Sequence, residues 1–83
     1  MKKLRIVVED VRGECYAGYQ KGDVINVEDP VITGKLCIYA VSALLPYITA
    51  AYRETPPEDW INVVEVLQCP DPENTVTFKL IRE

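Results

Sequence analysis

The chain has 83 residues, of which 48% are hydrophobic and 27% are charged, and its formal net charge is −4. This length predicts a single domain, residues 1–83, because it leaves no room for a second core. The balance of apolar and charged residues is typical of a globular protein. The negative charge argues against a nucleic-acid-binding surface, which needs clustered Lys and Arg.

The sequence also indicates the cellular compartment in which the protein is expected. The apolar run near the start is short and is broken by Arg5, so it does not predict a signal peptide. The chain has three cysteines, an odd number, which differs from the even count of secreted disulfide scaffolds. We therefore expect a soluble cytoplasmic protein with reduced thiols and no membrane contact.

Two strands are predicted before residue 30. The first covers Leu4 to Val11, and its positions 4, 6 and 8 share one apolar face. A polar loop follows and ends in the turn Lys21-Gly22-Asp23. The second strand covers Val24 to Glu28, and Asp29-Pro30 ends it.

One helix is predicted over Leu36 to Tyr52, a run of 17 residues without a charge. It should start near Thr33 or Gly34, and Pro46 inside it predicts a kink because proline removes a backbone hydrogen bond. The run is too short and too interrupted for a membrane span. Its outer positions carry Ala, Tyr, Ser and Thr, so either the helix is deeply packed or its outer face binds a partner, most simply a second copy.

The last third of the chain predicts a capped turn and two strands. Thr55-Pro56-Pro57-Glu58 matches a capping box with proline at the first helical position. Strands over Trp60–Cys69 and Thr75–Arg82 follow, joined by a turn at 70–74. Trp60 is expected to anchor the core, with ligand stacking as the alternative. The predicted fold is α+β, in the order β-β-α-β-β, with an antiparallel sheet and one Pro-kinked helix on one face.

The candidate site consists of Cys15, Cys37 and Cys69. Cys37 should lie in the first helical turn, where the helix dipole favours a thiolate, and Cys69 should return toward it on the third strand. The topology permits Cys15 to join them without requiring it. Spacings of 22 and 32 residues lack the close pairs of zinc motifs, and the chain has no histidine. A thiolate-bound metal would need a further ligand such as Asp71 or Tyr19, and plain packing of the thiols is the competing interpretation.

Several segments together resemble a family of short uncharacterised bacterial and archaeal proteins of about 85 residues. They are the loop Cys15–Asp23, the segments around Cys37 and Pro46, Trp60, and the turn that starts at Cys69-Pro70-Asp71. The family pattern has histidine where this chain has Tyr19, and often proline where it has Ile38. The resemblance implies a shared thiol site but no activity.

Three functions from different classes remain open. The first is a small structural or interaction domain that self-associates through the apolar helix. The second is a metal or iron–sulfur site at Cys15, Cys37 and Cys69. The third is a thiol enzyme with Cys37 as nucleophile, since the missing histidine excludes Ser–His and Cys–His catalysis.

Overall fold

The computed structural model describes residues 3–53, 56 and 58–82. Within them, five strands and two helices follow one another along the chain. Their bounds are β1 Leu4–Val11, β2 Val24–Glu28, β3 Val31–Thr33, α1 Ile38–Tyr52, α2 Trp60–Val63, β4 Val66–Gln68 and β5 Val76–Arg82. The predicted α+β class is confirmed.

The strands form one antiparallel sheet in the order β3-β2-β1-β5-β4. The two chain ends meet at its centre, where β1 pairs with β5 from Leu4↔Arg82 to Val11↔Val76. The register shifts between Val8 and Asp10. Such an irregularity bends a strand locally, and it lies just before the loop that carries Cys15.

The core lies between one face of this sheet and α1. Alternate strand positions point to the same face, so β1 buries Leu4, Ile6 and Val8 while β5 buries Val76, Phe78 and Leu80. The predicted alternation of both strands is confirmed. Helix α1 covers this face with Ala40, Leu44 and Ile48, which are four residues apart and so lie on one side of the helix.

The sheet has one more strand than predicted. Strand β2 ends at Glu28 as expected, but the chain turns at Asp29-Pro30, whose peptide bond is cis, and β3 pairs back along β2. The sequence prediction treated Pro30 only as a stop. Proline is also a turn residue, and the Val-Ile-Thr run behind it has the β-branched composition of a strand.

The predicted strand over Trp60–Cys69 is wrong in its first half. Residues Trp60–Val63 form the short helix α2, and β4 spans only Val66–Gln68. The reason is a helix cap, because the Asp59 carboxylate accepts a hydrogen bond from the Ile61 N–H. Two residues of the predicted capping box, Thr55 and Pro57, lie outside the described residues.

Helix α1 begins later than predicted and continues past Pro46 to Tyr52. Cys37 is its N-cap rather than a residue of its first turn. None of the helices described between residues 3 and 82 is long and apolar enough to cross a membrane.

Candidate functional site

The three cysteines border one cavity of about 250 Å³. Each comes from a different segment: Cys15 from the loop after β1, Cys37 from the start of α1, and Cys69 from the turn between β4 and β5. All three are half-buried and pack against the hydrophobic core. We call this space the three-cysteine cavity, and Tyr19, Asp71 and Asn74 also line it.

Two loops form one side of the cavity and are held together by hydrogen bonds. The Arg12 N–H donates to the carbonyl of Thr75 at 2.8 Å, and the Glu14 N–H donates to Asn74 Oδ1 at 2.9 Å. Gly13 lies between them with φ +81°, and a Cβ there would be 2.5 Å from Asn74 Oδ1. Only glycine therefore fits this close approach of the two loops without strain.

Asp71 organises the turn that carries Cys69. Its Oδ1 accepts hydrogen bonds from the N–H groups of Glu73 at 2.9 Å and Asn74 at 3.1 Å. These two donors hold the pKa of the Asp71 carboxyl below its ordinary value. The ionised carboxylate is therefore part of the turn as well as of the cavity wall.

Tyr19 joins the cavity to the core. Its hydroxyl donates to the carbonyl of Lys35 at 2.9 Å and accepts from the Cys37 N–H at 3.1 Å. Its ring meets Phe78 edge-on, with the centroids 5.5 Å apart. Burial raises the pKa of Tyr19 above its ordinary value, and the nearby sulfurs of Cys37 and Cys15 act in the same direction. The phenol is therefore neutral at physiological pH.

The three thiols differ in their hydrogen bonds. Cys69 Sγ accepts from the Val76 N–H at 3.2 Å and donates to the Asn74 carbonyl at 3.6 Å. Cys37 Sγ accepts from the Ala40 N–H at 3.3 Å as the cap of α1. The described part of the chain gives the Cys15 sulfur no hydrogen bond. Cys69 is thus held inside its hairpin by hydrogen bonds, whereas Cys15 is held by packing against the core.

The structure places all but one of the predicted site residues at the cavity. Cys15, Cys37, Cys69, Asp71 and Tyr19 all line the cavity. Trp60 does not: it is 66% exposed on α2, so the prediction of a core anchor is wrong. Its ring forms a T-shaped contact with Tyr47 instead, at a centroid distance of 6.3 Å. The cap at Asp59 starts a helix here, which turns the indole away from the core.

Sequence reasoning missed six residues of the cavity wall, and three of them carry a polar group on the side chain: Tyr16, Tyr39 and Asn74. Asn74 had a detectable signal, because Asp and Asn in a Pro-rich turn bond to nearby backbone groups. The two tyrosines had none, since neither their burial nor their direction follows from the apolar pattern.

A metal ion at the three thiols stays a prediction. Across residues 3–53, 56 and 58–82, no group of three or more Cys, Asp or Glu side chains is arranged so that it could hold a metal ion. Zinc–thiolate bonds are about 2.3 Å long, so ligands of one ion must lie close together. The sulfurs instead border an open volume of molecular size.

A second feature is the apolar side chains that α1 and α2 expose. Trp60 and Val63 of α2 are exposed large apolar residues, and together with the neighbouring Tyr47 of α1 we call them the α1–α2 surface. The two helices are adjacent, because the Tyr47 ring of α1 contacts Trp60 of α2.

None of the protein families, curated proteins or solved structures compared with this chain matches it.

Proposed function

We propose that this protein is a small-molecule-binding domain whose ligand occupies the three-cysteine cavity. The observation that carries the proposal is the convergence of three remote cysteines on one cavity of about 250 Å³. Concave sites with a mainly apolar wall and a few placed polar groups are the usual form of ligand pockets. The loops around this one are fixed by hydrogen bonds, which supports a preformed site.

The size of the cavity sets the size of the ligand. An apolar cavity of about 150 Å³ holds benzene, so about 250 Å³ accommodates roughly ten non-hydrogen atoms. Thiols are soft, weakly polar groups that pack like small apolar side chains. They favour a ligand with a largely apolar body.

The geometry of the cavity favours binding of a small molecule over the two other hypotheses, a metal site and a thiol enzyme. A metal or iron–sulfur group would need the sulfurs around one compact centre, and in the described residues no such group of ligands is found. The Ala40 N–H that the Cys37 sulfur accepts at the N-terminus of α1 suits a thiolate, but the chain has no histidine to act as the base of a Cys37 nucleophile. Both remain predictions with less support.

The test is a nuclear magnetic resonance titration of the reduced protein with neutral and charged fragments of about ten non-hydrogen atoms. We expect amide shifts to change around residues 15–19, 37–39 and 69–76 together. Cys15→Phe should fill the cavity and weaken binding at least about tenfold, while Cys15→Ser, close to cysteine in size, should change it little. Shifts confined to other surfaces, or equal effects of the two variants, would contradict the proposal.

A second candidate function is self-association through the α1–α2 surface. Its support is the exposure of Trp60 and Val63 on α2 beside Tyr47 of α1, since neighbouring exposed apolar groups mark interaction sites. A second copy is the simplest partner for such a surface.

Two exposed valines give a matched test of self-association. Val63 on α2 is 59% exposed, and Val31 on the far edge strand β3 is 58% exposed. If the protein forms dimers, Val63→Lys should shift the mass measured by light scattering toward the monomer, and Val31→Lys should not. A monomeric wild-type protein at high concentration would contradict self-association.

A further inference from the structure

The charged residues of the three-cysteine cavity restrict the kind of ligand it binds. Among the described residues that line it, Asp71 alone carries a formal charge, and no Lys or Arg is present. A cation in the cavity is therefore attracted and an anion repelled.

One oxygen of Asp71 is available to a ligand. Oδ1 already accepts two backbone hydrogen bonds, from Glu73 and Asn74. Oδ2 has only the Asn74 side-chain amide, at 3.5 Å. A carboxylate has about four acceptor positions, so Oδ2 can still accept from, or lie against, a cationic group.

Three tyrosines line the same cavity. Tyr19 is buried in its wall, whereas Tyr16 and Tyr39 are exposed at its mouth. The faces of aromatic rings attract cations within about 6 Å, and cages of aromatic rings are used to bind alkylated ammonium groups. Most of the surface of Tyr16 and Tyr39 is exposed and so is available for contact with a ligand.

The N-terminus of α1 opposes the binding of a cation. It reaches the cavity at Cys37 and carries about half an elementary positive charge. This is smaller than the full negative charge of Asp71. The Cys37 sulfur also occupies one of the free N–H groups of that terminus, Ala40. Among the groups that line the cavity, the negative charge is therefore the larger. The nearby cations of Arg12 and Lys35 lie against the carbonyls of Pro72 and Gly18.

We infer that the three-cysteine cavity binds an organic cation, an alkylated ammonium group on an apolar body of roughly ten or fewer non-hydrogen atoms. The inference rests on the proposed function and names its ligand class. The carboxylate balances the charge, the tyrosine rings surround the alkyl groups, and the thiols contact the apolar body.

Choline and its neutral isostere 3,3-dimethylbutan-1-ol test the inference on the wild-type protein. The two molecules have the same shape and differ in charge, and their affinities can be measured by the same amide-shift titration. Choline should bind at least about tenfold more tightly, with shifts at the cavity residues. Equal or tighter binding of the alcohol, or no cavity shifts with choline, would overturn the cation inference. The fragment titration decides the proposed function separately.

Two carboxylate variants localise the effect. Asp71→Asn keeps an acceptor at Oδ1 for the turn but removes the charge, and it should weaken choline binding about tenfold while leaving the alcohol unchanged. Glu73→Gln removes a neighbouring charge that does not line the cavity, and should change choline binding less than about twofold. Tyr39→Leu should weaken choline severalfold in a folded protein even if Asp71→Asn does not fold. Unchanged choline affinity in both Asp71→Asn and Tyr39→Leu would overturn the inference.

Discussion

The loops that carry Cys15 and Cys69 differ from helix α2 in how their side chains are placed. Where the loops after β1 and β4 meet, residues 12–19 and 69–75 are joined by backbone and side-chain hydrogen bonds, and their cysteines and tyrosines line one side of the cavity. On α2, Trp60 and Val63 are exposed. At the candidate site, hydrogen bonds between the loops add to the packing of the cysteines and Tyr19 against the core, whereas Trp60 and Val63 lack such cover.

The largest expected contrast is between two aromatic residues. Phe78 is fully buried beneath Tyr19, so Phe78→Ala should lower the free energy of unfolding by about 3–5 kcal/mol. Trp60 is mostly exposed, so Trp60→Ala should cost less than about 1 kcal/mol. Chemical denaturation followed by circular dichroism measures both. A cost for Trp60→Ala similar to that of Phe78→Ala would mean that α2 is packed against a partner or the core.

Two glycines test how tightly the loops are joined. Gly13 and Gly22 both have positive φ, but a Cβ at Gly13 would meet Asn74 and Glu73, whereas a Cβ at Gly22 meets nothing within 4 Å. Gly22→Ala should cost about 1 kcal/mol for its backbone conformation alone. Gly13→Ala should cost about 2 kcal/mol or more, because the loops must also move apart. Equal unfolding free energies for the two variants would show that the loops are not in close contact.

The three thiols should differ in their alkylation rates. Cys69 Sγ both accepts and donates a hydrogen bond inside its hairpin, whereas the described residues give Cys15 neither. We expect iodoacetamide to modify Cys15 first and Cys69 about tenfold more slowly, since reactivity follows access. Mass spectrometry of quenched samples gives the order. Selective modification of Cys37 would instead support the thiol-enzyme prediction.

The smallest expected effect is on acid stability. Because the pKa of Asp71 is lowered on folding, its ionised form stabilises the protein above its ordinary pKa of 3.8. This contribution is lost as the pH falls through the lower folded-state value. The difference in unfolding free energy between wild type and Asp71→Asn should therefore shrink as the pH falls from about 5. A difference that does not vary with pH would mean that the turn does not depend on the charge.

The sequence predicts the strands and the helix correctly where one face of the element is buried, because burial of one face produces a regular apolar pattern. The alternation of β1 and β5 and the uncharged run of α1 predicted the sheet and its helix. The local pattern did not predict β3, because a proline after a strand is compatible both with the end of pairing and with a turn into a further strand. Helix α2 was missed because the Asp59 cap outweighed the β-branched residues that follow it.

The candidate site was only partly predictable. The sequence singled out the three cysteines, but their convergence depends on long-range contacts such as that between Glu14 and Asn74, which are 60 residues apart. No local pattern encodes such a pairing. Trp60 shows the opposite failure, since a large apolar side chain carries no information about whether its neighbours will cover it.

The most direct test is to attach one N-phenylmaleimide group to Cys37 in a variant that carries Cys15→Ser and Cys69→Ser, and to map the amide shifts. If the three segments border one cavity, the phenyl ring lies among them. Shifts should then change near position 15 in the loop after β1 and in the 69–76 hairpin, as well as around Cys37. Changes confined to residues next to Cys37 in the sequence would contradict a shared cavity.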